Sequence, residues 1–312
     1  MKEQPRLADL IKGATFDGCL LVRAAAQRTA SNGSKYLDMT LCDVSAETNA
    51  KMWDGTAAAP EASSVVRVRG VMQEYNNRPQ FRVDKMRAVT ERDEVDMTLL
   101  APVAPFPAEA MQIEIRARAE AMADEKLREI VLRRLDECGE ALLYYPAASK
   151  LHHAEKSGLL HHTLGMLRMS AAVCQQYPGL NADLLAAGVI LHDLCKISEM
   201  HSDKMGVVSD YSAEGMLIGH LVQGVAELNR LGHALGTPKE TLMLLEHMVL
   251  SHHDLPEYGS PKPPMFPEAE VLHQLDMLDA RMFEMFRELE GIKPGAFTEK
   301  IWSLDRKLYK HK

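Results

Sequence analysis

A chain of 312 residues, 46% apolar and 26% charged, can bury one large core or two smaller ones, and its length favours about two domains. A net charge of −8 argues against a whole-surface nucleic-acid binder, although residues 1–90 carry 13 lysines and arginines against 10 acids, while the remainder carries 23 against 34. Apolar runs fall short of the roughly 20 residues that a membrane-spanning helix needs. The polar start Met1-Lys2-Glu3-Gln4-Pro5 is unlike a signal peptide, and five scattered cysteines without a CxxC pair read as reduced thiols. The expectation is a cytoplasmic protein with no membrane partner.

From Asp17 to about Val89 short apolar runs are separated by turn residues. Segments 18–23, 36–43, 51–54, 65–71 and 80–84 read as strands, and in the second of them Leu37, Met39 and Leu41 alternate with polar positions. Five short strands in about 75 residues predict a small closed β-barrel within residues 1–90, with the OB-fold the leading architecture. Such barrels hold single-stranded nucleic acid by stacking bases on aromatics in a positive groove. Tyr36, Trp53, Tyr75 and Phe81, with Lys51, Arg67, Arg69 and Arg82, are the residues on offer. The same aromatics can instead fill the barrel core, with the arginines solvated outside.

Residues 91–107 carry the charged run Glu91-Arg92-Asp93-Glu94 and then Pro102, Pro105 and Pro107, which lack the amide donor and restrict the residue before them. A linker is expected there. From Ala108 the period becomes helical: Met111, Ile115, Ala119 and Met122, then Leu127, Ile130, Val131 and Leu135, recur at three and four. The same spacing predicts helices over 158–177, 183–197, 213–232, 239–251, 268–290 and 298–310, hence an all-α domain over 108–312 and an α+β multidomain chain. The methionines of these helices read as gap-filling core, and they also offer a face for homo-oligomerisation.

Twelve of the thirteen histidines lie between His152 and His273. Several stand where helices begin or end: His161-His162 after Gly158-Leu159-Leu160, His192-Asp193 after an apolar run, His220 after Gly219, and His252-His253. On a helix, Asp193 and His192 lie three and four residues before Lys196, so the three converge on one patch. Imidazole and carboxylate suit a divalent cation, and a lysine beside them suits a phosphate oxygen. An isolated His-Asp pair at a helix end is ordinarily a cap. The joint enrichment, with Asp276 and Asp279 downstream, favours a metal site aimed into a helical bundle.

His162, His192-Asp193 and Asp276 in that order resemble the H…HD…D signature of HD-domain metal-dependent phosphohydrolases. His220 and His252-His253 match the extra histidines of members that bind two metals. Pro146-Ala147-Ala148, His152-His153-Ala154, the run Ser157 to Leu164, Tyr211-Ser212-Ala213-Glu214-Gly215, Gly219-His220 and Ser251-His252-His253 are similar to the YhaM family of 3′→5′ exoribonucleases, which joins an N-terminal OB-fold to a C-terminal HD domain. Cys195 stands where a glycine is common, and Glu155-Lys156-Ser157-Gly158 where a glycine pair is usual. Neither departure removes a ligand.

The resemblance implies that His162, His192, Asp193 and Asp276 hold one divalent ion, with Asp193 bridging to a second held by His220, His252 and His253. His161 and Asp279 remain alternatives to His162 and Asp276. Mn²⁺ is the cation the family implies; Fe²⁺, Co²⁺ and Zn²⁺ suit the same donors. The implied reaction is hydrolysis of single-stranded RNA, or also single-stranded DNA, to nucleoside 5′-monophosphates. Asp193 and Lys196 would be catalytic, with His152 and His153 touching substrate or orienting ligands. Two rival readings are an HD nucleotidase or cyclic-nucleotide phosphodiesterase with a regulatory barrel, and a non-catalytic single-strand-binding protein.

Overall fold

Strands β1 (Thr15–Thr29), β2 (Lys35–Cys42), β3 (Glu47–Met52), β4 (Val65–Tyr75) and β5 (Arg78–Ala88) close into a barrel in the order β1-β2-β3-β5-β4. They belong to a computed structural model that describes residues 4–76 and 78–312. Closure depends on β1, which is long enough to pair with β4 from Thr15 to Leu21 and with β2 from Leu21 to Thr29. A register shift between Val22 and Ala24 lets the strand turn from one partner to the other. The ring is completed by β3 and β5, which run parallel with Ala50 opposite Phe81 and Lys51 opposite Arg82. This is the OB-fold arrangement.

Alternation puts Phe16, Leu20, Val22, Leu37, Met39, Leu41, Ala50, Val66, Val68, Phe81 and Val83 inside. Phe81 is fully buried, edge-on to Phe16 with centroids 5.8 Å apart, so it is a core residue and does not contact nucleic acid. Phe81→Ala should therefore cost about 3–5 kcal/mol, read as a lower urea midpoint for unfolding of the barrel.

The boundary between two compact units falls between Val103 and Ala104. Residues 91–103 are ordered on the barrel side. They form two short 3₁₀ turns, Glu91–Asp93 and Met97–Leu99. Arg87 grips Asp93 with two bonds of 2.8 and 2.6 Å, and the Val44 amide donates to Leu99 O at 2.9 Å.

The second unit contains α1 (Ala108–Glu120), α2 (Glu125–Cys138), α3 (Gly158–Gln176), α4 (Ala182–Leu191), α5 (Lys196–Glu199), α6 (Ala213–Leu217), α7 (Gly219–Leu235), α8 (Lys239–Ser251) and α9 (Pro267–Leu289). Asp124 caps α2 through the amides of Lys126 and Leu127, and Asn181 caps α4 through that of Leu184. Beyond its first two residues α4 is apolar on every side: Leu184, Leu185, Ala187, Gly188, Val189, Ile190 and Leu191 are all buried, packed against α2, α3, α8 and α9. The end of a fully enclosed helix lies inside the bundle, and the two residues after Leu191 are His192 and Asp193.

Several predicted helices are corrected. The segment 183–197 breaks after Leu191 and resumes as the short α5. The segment 213–232 breaks at Gly219, whose φ of +74° is a left-handed conformation that costs a glycine little. The unit is not purely helical, because β6 (Met200–Ser202) and β7 (Val208–Tyr211) form an antiparallel ribbon. Residues 298–310 form no helix: Thr298 N donates to Leu308 O and Ile301 N to Arg306 O, both at 2.9 Å, closing an extended hairpin. Thr298, Ile301, Trp302 and Tyr309 are β-favouring, and in so short a stretch their spacing fits either period. Among the described residues, no helix is long and apolar enough to cross a membrane.

Candidate metal centre

Two helices present a histidine by the same device. His192 follows α4 and His252 follows α8, and each donates its Nδ1–H to the carbonyl three residues back, Val189 and Val249, at 2.8 Å. Carbonyls of a last helical turn lack intrahelical partners, so the ring satisfies one of them. A carbonyl can only accept, so in the neutral ring Nε2 carries the lone pair and faces inward. His253 is fixed in the same way by Tyr258 O at 2.8 Å. His220 is held by Glu199, whose Oε1 accepts from its Nδ1 at 2.9 Å and from its backbone amide at 3.0 Å.

The fifth ring, His162 on α3, is clamped between two carboxylates of α9. Asp279 Oδ2 accepts from Nδ1 at 2.8 Å, while Asp276 Oδ1 lies 3.3 Å from Nε2. Asp276 and Asp279 are three apart and so adjacent on one helix face. Gly165 makes this approach feasible, because a Cβ there would stand 2.6 Å from Asp279 Oδ1.

Asp193 sits among these rings. Its Oδ2 is 2.7 Å from Lys196 Nζ, 3.4 Å from His192 Nε2 and 3.9 Å from His162 Nε2. Its Oδ1 is 3.4 Å from His220 Nε2 and 3.6 Å from His252 Nε2. His162 Nε2, His192 Nε2, Asp193 Oδ1, His220 Nε2 and His252 Nε2 are all buried and have no hydrogen-bond partner among the described residues. Each such atom ordinarily costs about 1–3 kcal/mol, and native interiors rarely tolerate them. Four imidazole nitrogens around one carboxylate, whose own Oδ1 is the fifth such atom, form a donor set of the kind divalent cations take. The atoms group as His162, His192 and Asp193, as His192, His252 and Asp276, and as His220, His252 and His253.

The electrostatics agree. Burial opposes charge on Asp193, but Lys196 and His192 outweigh it and hold the carboxyl well below its usual range. Burial likewise opposes charge on Lys196, and Asp193 outweighs it, so the ammonium stays charged. Burial resists a proton on His162, yet Asp276 and Asp279 raise its pKa to about 10, so a cation binding there must displace a proton.

Sequence alone left His161 and Asp279 as substitutes for His162 and Asp276. The structure gives them other partners: His161 Nδ1 is 2.7 Å from Glu155 Oε1, and Asp279 is bound to His162 Nδ1 and, at 2.7 Å, to His153 Nε2. His153 is 2% exposed and packs against Phe283, with centroids 4.1 Å apart. His152, 5.7 Å from His162 between centroids, is kept neutral by burial, with its pKa lowered to about 3. Glu199 and the orienting role of Asp279 had no local signal in the sequence, since their partners lie 21 and 117 residues away. Removing the carboxylate in Asp279→Ala should weaken cation binding about 10–100-fold, as expected for a group that fixes a ligand's tautomer, and a Mn²⁺ titration of turnover measures it.

On the barrel, four of the eight selected residues come together. Tyr36 and Trp53 stack at 4.8 Å, and Lys51 Nζ lies 5.1 Å from the Tyr36 centroid and 5.8 Å from that of Tyr75. Trp53 and Tyr75 are 56% and 62% exposed. Arg67 and Arg69 instead line a shallow cleft of about 510 Å³ with Lys85 and Arg87. Arg67 is paired with Asp17 and Arg82 with Asp84, both at 3.0 Å.

The HD-domain family profile matches residues 159–281, which contain the whole histidine and aspartate cluster. The chain is 39% identical over 305 residues to the 3′-5′ exoribonuclease YhaM of Geobacillus sp. (strain WCH70), covering 96% of this chain and 92% of that protein. The chain belongs to the YhaM family of 3′→5′ exoribonucleases. Its likeness to the YhaM of Bacillus pumilus (strain SAFR-032) is 37% over 302 residues, covering 96% of this chain and 95% of that one. Membership of the YhaM family makes the chain a hydrolytic, metal-dependent nuclease, and its HD domain binds divalent metal. Among solved structures, the second OB-fold domain of replication protein A from Methanococcus maripaludis is similar at 14% identity, covering 28% of this chain and 97% of that chain with a TM-score of 0.24.

Proposed function

We propose that this protein removes nucleotides one at a time from the 3′ end of single-stranded RNA, releasing nucleoside 5′-monophosphates with Mn²⁺ as the working cation. The observation that carries this reading is the set of four buried, unpartnered imidazole nitrogens gathered around Asp193, whose Oδ1 is likewise unpartnered. His162, His192, Asp193 and Asp276 would hold one ion, and Asp193 would bridge to a second held by His220, His252 and His253. When bound, these ions lower the pKa of water and neutralise charge on the phosphoryl oxygens.

The chain's own groups do the rest. Glu199, Asp279 and the carbonyls of Val189, Val249 and Tyr258 keep each imidazole in the tautomer that faces the centre. Lys196, still charged beside Asp193, meets a non-bridging oxygen of the terminal phosphodiester. Water's oxygen joins phosphorus, and the 3′-oxygen of the upstream nucleotide leaves with a proton. His152, neutral and beside His162, is available to contact the substrate.

The patch of Tyr36, Lys51, Trp53 and Tyr75 supports a polymeric substrate over a free nucleotide. Base stacking on such aromatics contributes about 1–3 kcal/mol per base. Trp53→Ala should accordingly weaken single-stranded RNA binding roughly 5–150-fold while leaving the metal content unchanged, as read by fluorescence anisotropy. Five free cysteines, four of them buried, suit the reducing cytoplasm, where we place the protein.

The test of the whole reading is a 5′-labelled single-stranded RNA incubated with Mn²⁺. A labelled ladder shortening from the 3′ end is expected, with the unlabelled nucleotides released co-eluting with 5′-monophosphate standards by ultraviolet absorbance. Intact RNA alongside hydrolysed cyclic nucleotide would replace this reading with a cyclic-nucleotide phosphodiesterase. A parallel single-stranded DNA substrate measures sugar preference.

A further inference from the structure

Beside the proposed centre, the loop leading into α3 and the first turn of that helix bring together three donor atoms that the centre does not use. His153 Nδ1 is 3.4 Å from Glu155 Oε1 and 3.2 Å from His161 Nδ1, and His161 Nδ1 is 2.7 Å from Glu155 Oε1. All three meet within the span a single cation can bridge.

The tautomer of His153 is set by its neighbour. Asp279 Oδ2 contacts both His162 Nδ1 and His153 Nε2, and a carboxylate oxygen accepts, so both nitrogens donate. In neutral His153 the lone pair is then on Nδ1, aimed at the Glu155 carboxylate, which is itself an acceptor. His153 and Glu155 are only 2% and 6% exposed. Two buried acceptors facing each other call for a positive charge between them, and His161 has one Nδ1 proton at most to share.

The geometry favours a metal ion over an extra proton as that charge. Bonds of roughly 2.0–2.1 Å in a tetrahedron give ligand-to-ligand edges of roughly 3.3 Å, close to two of the three separations. The third, 2.7 Å, needs an opening of roughly half an ångström from the partly exposed His161 ring. Two imidazoles and one carboxylate form a zinc-type set that leaves the fourth position open, and the 21% exposure of the His161 side chain provides the entry. Phe283 against His153 and Phe106 against His161 wall the other sides.

We propose that His153, Glu155 and His161 form an additional site for a borderline divalent cation of the Zn²⁺ type, distinct from the HD ligands and tied to them through Asp279. The site shares no ligand with the HD centre, so the two assignments stand or fall separately.

The test uses full-length protein stripped by chelation, re-loaded with Zn²⁺, and counted for metal per chain, with Co²⁺ absorption as the geometric readout. Glu155→Gln keeps the shape of the side chain and His161→Ala alters a partly exposed one, and circular dichroism checks that both fold. His153 is left intact because it also holds Asp279. Wild type should retain one more Zn²⁺ per chain than either variant, and its tetrahedral Co²⁺ band should lose intensity in both. His252→Ala should lose metal from the HD centre and keep the additional ion. Equal Zn²⁺ counts in wild type, E155Q and H161A would overturn the proposal and leave the cluster as a proton-sharing network.

Discussion

Asp193→Ala should lower Mn²⁺-dependent release of mononucleotides by about 10³-fold or more, equivalent to ~4 kcal/mol of transition-state stabilisation, with RNA binding by the barrel retained. Its two oxygens face the two halves of the cluster: one is directed at His192 and His162, the other at His220 and His252. Its loss would remove a ligand from two ions at once and leave Lys196, 8% exposed, without its 2.7 Å partner. Breaking a buried ion pair costs about 3–5 kcal/mol, so folding must be measured alongside turnover. Asp193→Asn keeps the shape and one oxygen, so it opens no cavity, but it too removes the charge that Lys196 pairs with, and a melting curve for each variant reports the folding cost. If either variant turned over at the wild-type rate, the ligand assignment would be wrong.

Stripping the protein with a chelator should abolish turnover and lower the melting temperature of the helical unit by about 5–10 °C, both restored by Mn²⁺. A cation at 100 times its dissociation constant stabilises the native state by ~2.7 kcal/mol. In a domain of this size each kcal/mol corresponds to about 2–4 °C. The sign is set by the unpartnered atoms: with a cation they are satisfied, and without it they stay buried with no hydrogen-bond partner among the described residues. Calorimetry with and without the chelator decides the point. A melting curve indifferent to chelation would mean that the five atoms do not serve a metal.

The site is legible along the chain only in part. His162, His192-Asp193 and Asp276 stand out through their resemblance to the H…HD…D order, which is a property of the chain itself. Which of two adjacent histidines faces inward is not, since neighbours on a helix diverge by about 100° and only the packing of α3 against α9 selects one. Asp279 and Glu199 were invisible as orienting groups for the same reason: each acts on a ring delivered by a different element. On the barrel, four selected residues share one patch, while Phe81, indistinguishable from them by type, is inside because its position on β5 alternates with outward Gln80 and Arg82.

Periodicity is written locally, so the chain by itself determined a barrel followed by helices, and the alternation of Leu37, Met39 and Leu41 or the recurrence of Met111, Ile115 and Ala119 needed no distant partner. Tertiary structure decided where those helices break, why 298–310 is a hairpin, and which nitrogen of each histidine faces the centre. These depend on free energies of burial and hydrogen bonding between residues far apart in the chain, and such terms exist only once the elements have packed.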